Sequence, residues 1–233
     1  MPVKNALIIL WLLFQFSVSG QVPVKSFVPD SLTEDHFREL RKEFGKNKQY
    51  PSAFEKQILI ALSYYPELRN TYILFRIRHR HPVALTRAAW GGVFVPAAKR
   101  HYVITISDST EAMLSPILFI KQSFNAQIGI IGHELGHVVQ YSRMTTLQLI
   151  QYAVSNISAK YIDRFEYNAD ATSIAHGLGY QLLEWSRFVR KAMNTENWGG
   201  PDLVHRQKGR ERYMNPATIL KRISEDAIYG SIH

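Results

Sequence analysis

His133, Glu134 and His137 stand in the order His-Glu-Leu-Gly-His. Four residues is little more than one helical turn, so both imidazoles project from one face, close enough to grip a single ion. Glu134 is rotated beside them, where its carboxylate reaches a water on that ion. Ile128, Ile131, Leu135, Val138 and Val139 surround these residues at helical spacing, which predicts a buried helix rather than two histidines on a solvated one. A catalytic Zn²⁺ site needs a third protein ligand and one position left for water. The chain has no cysteine, so His or a carboxylate must supply that ligand. The best candidate is Glu166 in Glu166-Tyr167-Asn168-Ala169-Asp170, 29 residues after His137, a separation that permits a helix, a turn and a returning helix. Asp170 lies one turn beyond Glu166 on the same face, placed to accept a hydrogen bond from the distal nitrogen of a ligand histidine and fix its tautomer. The plain alternative is an exposed carboxylate pair bridged to Arg164 or Lys160.

Other elements must position these two helices. Ser31 with Glu34 reads as a capping box opening a helix to Phe44, stopped by Gly45. Ser52 and Glu55 repeat the signal ahead of Ile58, Leu59 and Leu62, predicting a second helix that ends near Pro66. Tyr72 to Arg80 alternates at strand period, with Tyr72, Leu74, Arg76, Arg78 and Arg80 on one face and Ile73, Phe75, Ile77 and His79 on the other. The basic side reads as a solvated sheet face or as a lure for an acidic partner. Val93–Val95 and Tyr102–Ile106 read as two further strands around a turn from Pro96 to Arg100. From Met113 the pattern is mostly helical. Gly199, Gly200 and Pro201 break it, Asp202 to Arg212 reads as a polar loop or flap, and a last helix is expected from Pro216 to Ile228 with proline in its first turn. Strands first and helices after predict an α+β fold: a small, mostly antiparallel sheet and a largely helical C-terminal half.

With 233 residues, 46% hydrophobic and 20% charged, the chain can bury one substantial core, which excludes a disordered, collagen-like or coiled-coil protein. The formal charge of +9 suggests an anionic environment: a membrane surface, a cell-wall polymer or an acidic substrate. The absence of cysteine excludes disulfides, Cys nucleophiles and Cys-ligated metals. Lys4, the apolar run from Ala6 to Phe16 and the small residues Ser17 to Gly20 read as a secretory signal peptide cleaved near Gly20. The run is shorter than the roughly 20 residues that span a bilayer, so an uncleaved anchor is the lesser alternative. The expected organisation is a signal peptide at 1–20, an N-terminal extension at 21–50 and one domain at 51–233, exported to a periplasm or beyond. No nucleic acid is expected as partner, because the basic residues are not interleaved with aromatics as stacking grooves require. His79, His81 and His101 read as surface histidines. Trp90, Trp185 and Trp198 read as core or pocket wall, and Gly91-Gly92 carries no phosphate-loop pattern.

Taken together, His133-Glu134-Leu135-Gly136-His137 and Glu166-Tyr167-Asn168-Ala169-Asp170 resemble the gluzincin metallopeptidases, specifically the CAAX prenyl protease and HtpX-like metalloendopeptidases. A weaker likeness lies in Tyr213-Met214-Asn215-Pro216 followed by Lys221-Arg222-Ile223, and in Val93 to Ile106 ahead of the active-site helix. The resemblance implies a sheet packed on a zincin active-site helix and a second ligand helix. It implies one Zn²⁺ per chain on His133, His137 and Glu166, Glu134 as general base, and a polypeptide substrate added as a strand to a sheet edge. Two departures stand out: Asn215 occupies a place usually held by His, and the family's transmembrane helices have no counterpart. A metzincin is excluded by Gln140 and Arg143 where Gly and His would follow His137, and no Gly-x-Met-Glu-Asn exopeptidase pattern is found. The expected function is therefore a zinc metalloendopeptidase acting on exported proteins. The alternatives are a zinc amidase on cell-wall peptides and an inactive zinc-fold scaffold. For the oxyanion donor the first candidate is His205, followed by Tyr213 and Arg210.

Overall fold

The computed structural model describes residues 21–80, 82–89, 91–155, 158–200 and 211–230. The expected signal peptide, His81, Trp90, His205, Arg210 and most of the loop expected from Asp202 lie outside the described residues.

Helix α1 (Glu34–Phe44) is capped by Thr33, whose hydroxyl accepts from the His36 amide at 3.2 Å. The expected cap, Ser31, donates instead to the Val28 carbonyl in a 3-10 turn that begins at Pro29. Both residues are capping types, and the proline-led turn claims the first. Phe37, Leu40 and Phe44 point inward and join the main core, so residues from the expected N-terminal extension are built into it. After the short strand β1 (Lys48–Gln49), a 3-10 turn at Ser52–Phe54 leads into α2 (Glu55–Ser63), buried from Ile58 to Ser63.

Strand β2 (Tyr72–Ile77) buries Ile73 and Phe75, as its alternation predicts, and ends before Arg80. Strand β3 (Ala84–Ala88) was not expected, whereas the segment expected as a strand at Val93–Val95 forms a 3-10 turn over Gly92–Phe94, entered through Gly91 at φ 76°. Strand β4 (His101–Ile106) completes a sheet of order β1-β2-β4-β3. The sheet is mixed, not mostly antiparallel: β1 with β2 and β2 with β4 run parallel, and only β3 with β4 is antiparallel. Alternation reports which residues are buried and carries no information on strand direction. Parallel β2 and β4 require a long crossover, and here the crossover contains β3, laid on the outer edge.

Ser123 caps α3 (Phe124–Arg143) by accepting from the Ala126 amide at 3.2 Å. This helix is buried almost all round and is followed by α4 (Thr146–Ser155) and α5 (Ala159–Ser173). A wide turn over Ile174–Leu178, with Gly177 at φ 93°, leads into α6 (Gly179–Ala192). The chain closes with α7 (Pro216–Glu225), shorter than expected because Asp226 leaves the helix and its carboxylate opens a new turn by accepting from the Ile228 amide at 3.2 Å. Helices α2, α5 and α6 all pack on α3. Among the described residues no helix is long and apolar enough to cross a membrane.

Candidate metal centre

Helix α3 carries His133, Glu134 and His137, each no more than 5% exposed, and α5 crosses it so that Glu166 faces both imidazoles. The approach depends on Gly136, because a Cβ there would lie 2.9 Å from the Ala169 carbonyl oxygen of α5. His133 Nε2 and His137 Nε2 lie 3.1 Å apart, and Glu166 Oε2 lies 3.1 Å from the first and 3.2 Å from the second. The three residues form a group that can hold a metal ion.

The donor set fits such an ion. Four-coordinate donors held at about 2.0–2.1 Å from a metal stand about 3.3–3.4 Å from one another, close to the separations found. Asp170 Oδ1 lies 2.7 Å from His133 Nδ1, and Asp170 Oδ2 accepts from the Met214 amide at 2.7 Å. A carboxylate on Nδ1 places the proton there and leaves the Nε2 lone pair directed at the centre. The His137 ring is fixed differently: it lies almost flat on Phe165, with centroids 4.8 Å apart, and its buried Nδ1 has no hydrogen-bond partner among the described residues. The Glu166 side chain keeps 20% of its surface exposed, so the centre opens to solvent on that side.

Electrostatics agree with this assignment. Burial alone would raise the Glu166 carboxyl, yet the charge and hydrogen bonds of the two imidazoles outweigh it and hold the group well below the usual carboxylate range. Burial would lower His133, and the hydrogen bonds and charges of Asp170 and Glu166 outweigh it and hold the imidazole well above the usual range. The metal-free centre therefore retains a proton that an incoming cation must displace. Glu134 is pushed up, chiefly by burial, with the histidine charges and a hydrogen bond from Thr86 pulling the other way.

Thr86 is the member that sequence reasoning missed. Its hydroxyl lies 2.6 Å from Glu134 Oε2 and 3.1 Å from the Glu134 carbonyl oxygen, so β3 holds the carboxylate from across the core. The pairing of β3 with β4 is bracketed by Ser107 N to Val83 O at 2.9 Å and Ala89 N to His101 O at 2.8 Å. By antiparallel alternation, the backbone groups of Ala84 and Thr86 point away from β4, along the sheet's free edge.

Beside His133 and Glu134 opens a small pocket of about 50 Å³, walled by Val83, Ile117, Ile130, Trp185, Trp198 and Tyr213. Trp185 and Trp198 are thus pocket wall, within the range expected of them. Tyr213 stands with its ring 5.7 Å from that of His133 and 5.8 Å from that of Trp185. Burial first, and then the negative charge of Glu166, push its phenol well above the usual tyrosine range, so it remains a neutral donor. Asn215 caps α7, accepting from the Thr218 amide at 2.9 Å. His79 and His101 lie exposed at the sheet, as expected of surface histidines. Comparison with protein-family models, with curated proteins and with solved structures finds no match to this chain.

Proposed function

We propose that this chain is a zinc-dependent metalloendopeptidase of gluzincin type. The observation that carries the reading is the convergence of His133 Nε2, His137 Nε2 and Glu166 Oε2 on one point, beside a buried carboxylate on the same helix that binds none of them. Nitrogen and carboxylate donors in a set of three, without thiolates, suit Zn²⁺ and leave a position for water. Zinc bound there would supply a water acidified to a pKa near about 7 and a Lewis acid for the scissile carbonyl.

The protein's own groups do the rest. Asp170 orients His133 and steadies its charge. Glu134, held by Thr86, accepts the proton of the attacking water on its carboxylate and delivers it to the leaving amine. Its raised affinity for protons, a result of burial, makes it a better base than a solvated glutamate. The free edge of β3 offers the Ala84 and Thr86 backbone to an extended polypeptide, which supports a peptide rather than a small-molecule substrate. Tyr213, neutral and facing the pocket, is the donor best placed among the described residues for the oxyanion. A scaffold that only retained the metal would have no use for Glu134 and its Thr86 support.

Glu134→Gln should lower hydrolysis of an unfolded protein substrate by about 10²-fold or more while the purified chain keeps one zinc. Adding Glu166→Ala should lose or weaken that zinc. Peptidase activity surviving in Glu134→Gln would overturn the mechanism, and folded protein without zinc under metal-replete conditions would overturn the metal assignment. Cleavage of wall peptides with unfolded protein left intact would favour an amidase.

A further inference from the structure

The face of the sheet turned away from the core is not used by the metal centre. The register places its side chains in rows across three strands: Leu85, Thr105 and Arg76 in one, Arg87, Val103 and Leu74 in the next, and His101 with Tyr72 in a third. The Tyr72 and His101 rings lie 4.5 Å apart, as neighbours on one face must. Beyond the end of β2 the stripe continues into Arg78 and Arg80, both exposed. Strand β3, unforeseen from the sequence, adds Arg87 to the stripe of β2. Arg76 is pinned by donating to Thr105 Oγ1 at 3.0 Å. Its guanidinium is held below the usual arginine range by partial burial and then by the positive charges of Arg78, Arg87 and Arg80. Among the described residues, no carboxylate forms an ion pair with any of the four.

Four neighbouring cations without an ion-pair partner among the described residues make this face a strongly positive surface that favours an anionic partner. We propose that this sheet face docks on an anionic phospholipid bilayer through Arg76, Arg78, Arg80 and Arg87. A cluster of this size is what an anionic leaflet attracts. Val103 and Thr105 on the central strand are themselves buried, and the arginines and Leu85 flank them on the outer strands; this extended array is none of the pockets described, so it suits a planar partner better than a discrete ligand. Leu85, 41% exposed, and the half-buried Tyr72 stand among the arginines, where they can enter the headgroup layer. The opposite side of the same sheet carries the core and α3, so docking leaves the metal centre uncovered. This proposal does not rest on the peptidase reading.

The test is sedimentation of the full chain with vesicles of phosphatidylcholine, with and without phosphatidylglycerol. The N-terminal apolar segment is present in every sample, so variants report the sheet face alone. Arg78→Gln with Arg80→Gln should weaken partitioning to the anionic vesicles by roughly 25-fold at low salt, about 5-fold for each arginine. High salt should abolish the difference. The variant should melt no lower than the parent, since a repulsion has been relieved. The absence of cysteine allows a local readout: an environment-sensitive dye on Leu85→Cys should shift to the blue on anionic vesicles, while one on Leu220→Cys in α7 should not. Equal partitioning of parent and variant, or a silent dye at position 85, would overturn the proposal. So would a dye response to protein concentration alone or to an acidic polypeptide without vesicles, which would assign the face to a second copy or to a protein partner.

Discussion

Asp170 shows how much one buried carboxylate can govern. One oxygen meets His133 Nδ1 and the other receives the Met214 amide, each at 2.7 Å, so the residue ties the ligand imidazole to the segment that carries Tyr213. Asp170→Asn cannot serve both contacts, because its amide nitrogen would face either an N–H or the imidazole proton. Zinc affinity should fall by about 10- to 100-fold with the fold retained, as measured by competition with a chelating dye. Unchanged affinity would make the contact purely structural. The group that can hold a metal ion was legible because its chemistry is written in residue type and helical spacing. Thr86 was not, since a threonine bears no mark of catalysis and its partner is 48 residues away.

At the scale of elements, the centre exists because α5 can approach α3 closely. Glycines at positions 129, 132 and 136 open one side of α3. A methyl group at Gly136 would press on the Ala169 backbone, with 2.9 Å to its oxygen and 3.3 Å to its Cα. Gly136→Ala should therefore push α5 outward by a few tenths of an ångström and carry Glu166 away from the imidazoles, weakening zinc binding more than stability. Gly129→Ala, whose Cβ would lie 2.3 Å from the Gln181 carbonyl oxygen, should do the reverse, costing about 1–3 kcal/mol with a smaller effect on the metal. Zinc titration beside denaturant unfolding separates the two, and equal effects of both variants on zinc would contradict this account. The helices were legible from their apolar periodicity but not from their caps: Thr33 rather than Ser31 caps α1, and Ser52 lies in a 3-10 turn before α2, whose N-terminus has no side-chain cap. The direction of the strands was not, because β2 and β4 pair through a crossover that alternation does not encode.

For the molecule as a whole, the metal-free centre stores an electrostatic imbalance that pH should expose. His133 is raised above its ordinary value of 6.5, so its stabilising contribution is complete below that pH and is lost as pH rises through the higher folded value. The raised Glu134 acts in the same direction. Glu166 is lowered, so its contribution is present above the ordinary carboxylate range and is lost as pH falls towards the lower folded value. The chelated protein should be most stable in mildly acidic solution and lose thermal stability as pH rises above the ordinary histidine value of 6.5, whereas the zinc-loaded protein should hold its midpoint over the same rise. A metal-free midpoint that climbs with pH would contradict the assignment.

The available side-chain chemistry follows from the order of residues alone: two imidazoles and a carboxylate on one helical turn, an acidic pair one turn apart on another helix, no thiols and a net positive charge. Local spacing suffices for these, since residues four apart on a helix must be neighbours. What residues distant in the chain do together depends on how the chain packs. Packing brought Glu166 to 3.1 Å from His133 Nε2 and set Thr86 against Glu134. It also moved β3 to the free edge and added Arg87 to the basic face. Those placements depend on strand direction, crossover and backbone approach, which are properties of packing that no stretch of sequence carries alone.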